Sequence, residues 1–94
     1  MANPKFVTLV ADTEAIVDLD TNYGQIEVTL TANAANTWFN TANTAVGAVA
    51  GAQDGNHYLG ATLPTKIVPD LTGGQNSRVR IRSTGTPTVQ VYGS

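Results

Sequence analysis

The chain has no cysteine, a single histidine and few charged side chains. Without cysteine, neither disulfides nor thiolate metal sites can reinforce a domain of 94 residues. A chain this short buries only about 60–65% of the surface its unfolded form exposes, so association with other chains is a natural way to bury more. Charged residues make up 13% of the sequence, against roughly 25% in a typical soluble domain. Five basic residues against seven acidic ones leave a net charge of −2, which argues against general nucleic-acid binding. No apolar run approaches the ~20 residues of a membrane span. Nothing resembles a signal peptide: Phe6 to Ala11 contains Thr8, follows a single Lys5, and meets Asp12 and Glu14 at once. A soluble product made in the cytoplasm, with no membrane contact, is expected.

The catalytic inventory is equally thin. Serines occur only at positions 77, 83 and 94, and no glycine-rich phosphate loop is present. His57 is a conceivable general base, weighed against a surface or hydrogen-bonded structural role beside Asp54 and Asn56. No enzyme and no cofactor are expected.

Threonine, alanine, asparagine and glycine fill the space that charge leaves, a bias towards β structure and turns. Gln25 to Ala32 alternates cleanly, with Ile26, Val28, Leu30 and Ala32 on one face and Gln25, Glu27, Thr29 and Thr31 on the other. A half-exposed strand follows. Further strands are predicted over Lys5–Ala11, which is apolar on both faces and so reads as well covered, and over Ala15–Leu19, Thr37–Asn40, Ala45–Val46, His57–Leu59 and Thr65–Val68. A helix over Ala32–Phe39 is disfavoured by Asn33, Asn36 and Thr37. Pro64 and Pro69 bracket Thr65–Val68, which confines those two positions to strand ends or edges. Asp20 to Gly24, Gly47 to Gly55 and Asp70 to Asn76 read as turns or loops. Seven or eight short strands at roughly 8–12-residue spacing predict one all-β domain, a sandwich or small barrel.

The last stretch, Ser77 to Tyr92, reads as a hairpin. Val79, Ile81, Val89 and Val91 would line its aliphatic face, while Arg78, Arg80 and Arg82 occupy the other. Three of the five basic residues thus share one face of one strand. They either pair with acids such as Asp18 or Glu27 on neighbouring strands, or meet acidic groups of a partner, for which arginine's planar fork is well suited.

Two other patterns compete for attention. Asp18-x-Asp20-x-Asn22-x-Gly24 has the alternating oxygens of a calcium loop, yet Tyr23 stands where glycine is needed and Thr29 where a bidentate glutamate belongs. A turn explains the same residues, and no metal is expected. Trp38, Tyr23, Tyr58 and Tyr92 could line a glycan groove, weighed against Trp38 and Phe39 being needed for the core or for a subunit contact.

The succession Thr37-Trp38-Phe39-Asn40-Thr41, Ala45-Val46-Gly47, Gly55-Asn56-His57-Tyr58-Leu59, Lys66-Ile67-Val68-Pro69, then Val79 to Thr86 with Val89-Gln90-Val91, resembles small virion proteins of tailed bacteriophages over about residues 37–92. The arginine stripe is not part of that likeness. The resemblance implies a capsid decoration (cement) protein, bound to the outside of a phage head as a trimer and stabilising it by bridging capsid subunits. The expected domain spans residues 1–94 as a small β-sandwich, jelly-roll-like, of seven to eight short antiparallel strands. Its expected partners are the major capsid protein and itself as a homotrimer, through Arg78, Arg80, Arg82, Trp38 and Tyr92. Ala42 to Ala52 is expected near a subunit contact. A carbohydrate-binding or host-recognition module of a phage tail or surface protein is the alternative.

Overall fold

A computed structural model of the chain describes residues 4–19, 23–41, 55–69 and 78–94. The Ala45–Val46 strand, the Ala42–Ala52 contact, the Asp70–Asn76 turn and most of the Asp20–Gly24 and Gly47–Gly55 segments lie outside these residues.

The described residues form eight strands and no helix: β1 Lys5–Thr8, β2 Ala15–Asp18, β3 Ile26–Ala32, β4 Thr37–Asn40, β5 His57–Leu59, β6 Thr65–Val68, β7 Arg78–Ser83 and β8 Thr88–Gly93. They make two four-stranded antiparallel sheets, ordered β1-β8-β3-β6 and β2-β7-β4-β5. The pairs β1–β8, β2–β7, β3–β6 and β4–β5 nest inside one another, so the two halves of the chain run alongside each other in opposite directions. Going from Lys5 to Ala15 to Thr37, the partner steps back from Val91 to Ile81 to Leu59, residue for residue. Only β3–β6 departs, with Ile26 facing Val68. One long antiparallel ribbon, rolled so that its pairs alternate between two sheets, is the jelly-roll arrangement. The expected sandwich is therefore the one observed.

The inward residues interlock between the sheets. Val17, Val79, Ile81, Phe39 and Leu59 from one layer meet Ile26, Val28, Leu30, Val89 and Val91 from the other, and Leu9 and Leu19 join the same cluster from just beyond β1 and β2. Each such side chain, fully buried, contributes about 1.5–3 kcal/mol by leaving water. Polar pairing closes one end of the core. The buried Thr37 hydroxyl donates to Ala35 O at 2.8 Å and lies 3.0 Å from Ser83 Oγ, which in turn bonds Asn36 O.

Two expectations change. Ser77–Tyr92 is not a hairpin: β7 and β8 belong to different sheets. Both edges of β7 are taken, by β2 and β4, and the Thr84–Pro87 link crosses the sandwich. Thr84 N–H donates to Asn36 O and Pro87 O accepts from Leu9 N–H, so neither group is free to pair β7 with β8. Val79, Ile81, Val89 and Val91 are all core, as expected, but they face one another across it. The other change concerns β1, which is an edge strand with Phe6 57% exposed.

The edges of the β1-β8-β3-β6 sheet carry a specific protection. Lys5 on β1 is registered with buried Val91, and Lys66 on β6 with buried Val28, so each edge strand places a lysine in the inward-facing row. Inward-pointing charge at a sheet edge discourages a further strand from adding there. Association of this sheet then falls to its face.

Candidate functional site

Each sheet turns one face outward, and the two differ in chemistry. On β2-β7-β4-β5 the outward positions are Ile16 and Asp18, then Arg78, Arg80 and Arg82, then Trp38 and Asn40, then Tyr58. Register aligns them in rows: Asp18 beside Arg78, Ile16 beside Arg80 beside Asn40, and Arg82 beside Trp38 beside Tyr58.

The arginines are not equivalent. Arg78 Nε lies 3.2 Å from Asp18 Oδ2, with both side chains well exposed. Arg80 Nη1 lies 2.8 Å from Glu14 Oε1, and there both side chains are only about one-fifth exposed. Arg82 Nη1 donates to the carbonyl of Asp12 at 2.8 Å. Its Nε is buried without an acceptor, and no carboxylate comes within ion-pair distance among the described residues. Asp18 thus takes the pairing role proposed for it. Glu27 lies on the opposite sheet, and Glu14 pairs in its stead. The sequence pattern missed Glu14 because it precedes β2, diagonal to Arg80 and not directly across from it.

The aromatics are divided among sites. Trp38 and Tyr58 form a tilted pair with ring centroids 5.5 Å apart and planes at 59°. The Tyr58 hydroxyl donates to Asn36 Oδ1 at 2.7 Å. Tyr23 packs against the core, and its ring lies over Gly93, where any β-carbon would overlap it. Tyr92 is on the outer face of the other sheet. Arg78, Arg80, Arg82 and Trp38 are therefore brought together, and Tyr92 is not with them. The four aromatics line no common groove.

The outer face of β1-β8-β3-β6 carries Phe6 and Thr8, then Thr88, Gln90 and Tyr92, then Glu27 and Thr29, then Thr65 and Ile67. Phe6, Gln90, Thr29 and Thr65 form one row across the sheet; Tyr92, Glu27 and Ile67 form the next. Hydroxyls bond sideways, Thr8 to Thr88 at 3.1 Å and Thr65 to Thr29 at 3.3 Å, which spends their polarity within the sheet. Glu27 is the one charge among these strand positions. Phe6, Ile67 and Tyr92 stay 57, 45 and 40% exposed. Sequence reasoning singled out Tyr92 here but not Phe6 or Ile67.

His57 packs its ring 5.1 Å from that of Phe39. Burial, and then the charge of Lys66, hold its pKa below the ordinary histidine value. Among the described residues no cavity opens beside it, and no cluster of histidine and acidic side chains could hold a metal ion. Asp18 of the calcium-like run is paired with Arg78, while Asp20 and Asn22 lie outside the described residues.

Comparison with family models, with curated proteins and with solved structures finds no match.

Proposed function

We propose that this chain is a structural protein of a phage particle, a decoration (cement) protein that lies on the outer surface of the head and bridges capsid subunits without catalysis. The observation that carries the reading is the outer face of β1-β8-β3-β6. Interface cores are poor in charge and rich in aromatic side chains. This face has Phe6, Ile67 and Tyr92 exposed and Glu27 as its one strand-borne charge. The occupant it fits is a flat, weakly charged protein surface with a basic group opposite Glu27, as a capsid subunit could supply. Phage membership itself rests on the resemblance over residues 37–92.

Size supports association into a trimer. Strands of four, six, seven and four residues, rising about 3.4 Å per residue and about 4.8 Å apart, give a face of about 340 Å². That is about half of what one partner contributes to a stable interface. One copy on this face alone binds weakly, whereas three linked copies gain effective concentration. Burying surface on two capsid subunits at once then raises the cost of separating them.

Co-sedimentation of the purified protein with phage heads, followed by cryo-EM of the pellet, tests the proposal. Density on the shell with this face inward is the expected result; protein left in the supernatant at saturating concentration removes it. The second reading, a glycan-binding module, is favoured by the Trp38–Tyr58 pair. It predicts saturable binding on a glycan array, lost in Trp38→Ala.

A further inference from the structure

We propose that Arg82, Trp38 and Tyr58 form a second contact point, on the sheet opposite Phe6, Ile67 and Tyr92, that receives a carboxylate side chain of a partner protein. This goes beyond the shell-facing surface, because it gives the molecule two binding faces of different chemistry.

The three neighbouring arginines have unequal partners. Asp18 neutralises Arg78 and Glu14 neutralises Arg80. Among the described residues Arg82 meets only the Asp12 carbonyl, a neutral dipole that orients the guanidinium and leaves its charge intact. Of five guanidinium donors, one serves that carbonyl and Nε is buried without an acceptor, so the remaining Nη hydrogens are those offered to a partner. Two of the three arginines are paired with acids of this chain. The third is left over.

Arg82 is also held in place. Asp12 sits at φ +56°, a backbone conformation uncommon for a residue with a side chain, and its N–H donates to Ser83 O at 2.8 Å. That bond ties the turn after β1 to the end of β7 and presents the Asp12 carbonyl to Arg82. The guanidinium is thus aimed before any partner arrives, which removes part of the ordering cost of binding. Trp38 is its cross-strand neighbour, and Tyr58 lies beyond Trp38 in the same row. Tryptophan, tyrosine and arginine are the residues that dominate binding energy at interface centres. A carboxylate complements the remaining charge and accepts two parallel N–H bonds from one guanidinium. A nucleic-acid backbone would need an array of free cations, whereas the neighbouring two are already neutralised.

The test is a titration of the ¹⁵N-labelled protein with hexaglutamate at low salt, using hexalysine and a thymidine hexamer as alternative probes. Trp38 is the single tryptophan, so its indole N–H gives one assigned reporter beside the site. Saturable shifts of the Arg82 Nε–H and Trp38 indole signals with hexaglutamate are expected. Arg82→Gln should weaken the apparent affinity about tenfold, the loss of one charge-assisted pair. Arg82→Lys should recover part of it, and Arg78→Gln should leave it within about twofold. Absence of shifts at about 10 mM hexaglutamate, an equal response in Arg82→Gln, or a stronger response to the thymidine hexamer would each overturn the proposal. The wild-type titration decides even if a variant folds poorly. Because it needs no phage head, its failure and that of shell binding are read separately.

Discussion

Arg80 and Glu14 meet at 2.8 Å although they are not cross-strand partners: Arg80 faces Ile16, and its guanidinium reaches back along β2 to Glu14. Half-withdrawn from water, this pair should matter more than the neighbouring Arg78–Asp18 pair, whose side chains are 48 and 39% exposed. A double-mutant cycle with Arg80→Ala and Glu14→Ala should give a coupling of about 1–2 kcal/mol, and the Arg78/Asp18 cycle about 0–0.5 kcal/mol. Urea unfolding of the four proteins in each cycle measures both. Equal couplings would show that exposure does not rank these pairs.

Ser83 sits at zero exposure and serves three groups at once. It bonds Thr37 Oγ1 and Asn36 O, and accepts from Gly85 N–H at 3.2 Å. Ser83→Ala leaves that part-buried N–H without its acceptor and removes the buried bond with Thr37, for an expected loss of about 1–2 kcal/mol. The urea midpoint should fall with no change in its slope.

Stability should depend on His57 with a definite sign. Its folded pKa is lowered by burial and by Lys66, so between that value and the ordinary one near 6.5 the unfolded chain binds more protons. Histidine's contribution is complete above about pH 7, declines as pH falls below about 6.5, and levels off below the folded pKa. In His57→Gln the melting temperature should lose this component of its slope between about pH 7 and 5. An unchanged slope would move the cause elsewhere.

Ile67→Lys and Tyr92→Lys place charge on the face proposed to meet the shell. Both positions are substantially exposed, so stability should change by only about 0.5 kcal/mol. Occupancy on heads, read by co-sedimentation, should nevertheless fall about tenfold for each, since a buried unpaired charge is costly at an interface. Retained occupancy in both variants would place the contact on another surface.

The strands were legible because alternation survives in a sandwich. Ile26, Val28 and Leu30 are inward, and Glu27 and Thr29 outward, as the pattern of Gln25–Ala32 requires, but a register shift after Leu30 leaves Ala32 exposed and not on the inward face expected for it. Pro64 and Pro69 fall just outside the ends of β6, one of the two placements expected for them, whereas the edge position of β6 follows from the sheet order. Alternation reports which way a side chain points, not whether the next strand lies beside it or across the core. The Ser77–Tyr92 reading failed at that point, because Val79 and Val89 face inward under either arrangement. Site residues were legible in the same partial way. The row Arg78, Arg80, Arg82 follows from period two, but which arginine lacks an acid depends on where β2 lies, and that is set by the roll of the whole chain. Phe6 looked like a covered residue because an apolar side chain on each face of β1 fits a central strand as well as a sticky edge.

The nesting of β4–β5 inside β3–β6, inside β2–β7, inside β1–β8 also bears on how the chain folds. Thr8 and Thr88 are 80 residues apart in sequence, and closing a loop of that length in one step would be slow and entropically expensive. Phe39 and His57 are separated by far less. Once they pair, each outer pair closes only the short arms that extend from the one before it. Folding can therefore advance as a zipper from β4–β5 outward, with the β1–β8 pair locked last. The edge strand that bears Phe6 would then be the last part to form of the surface proposed to meet the shell, and the first to open.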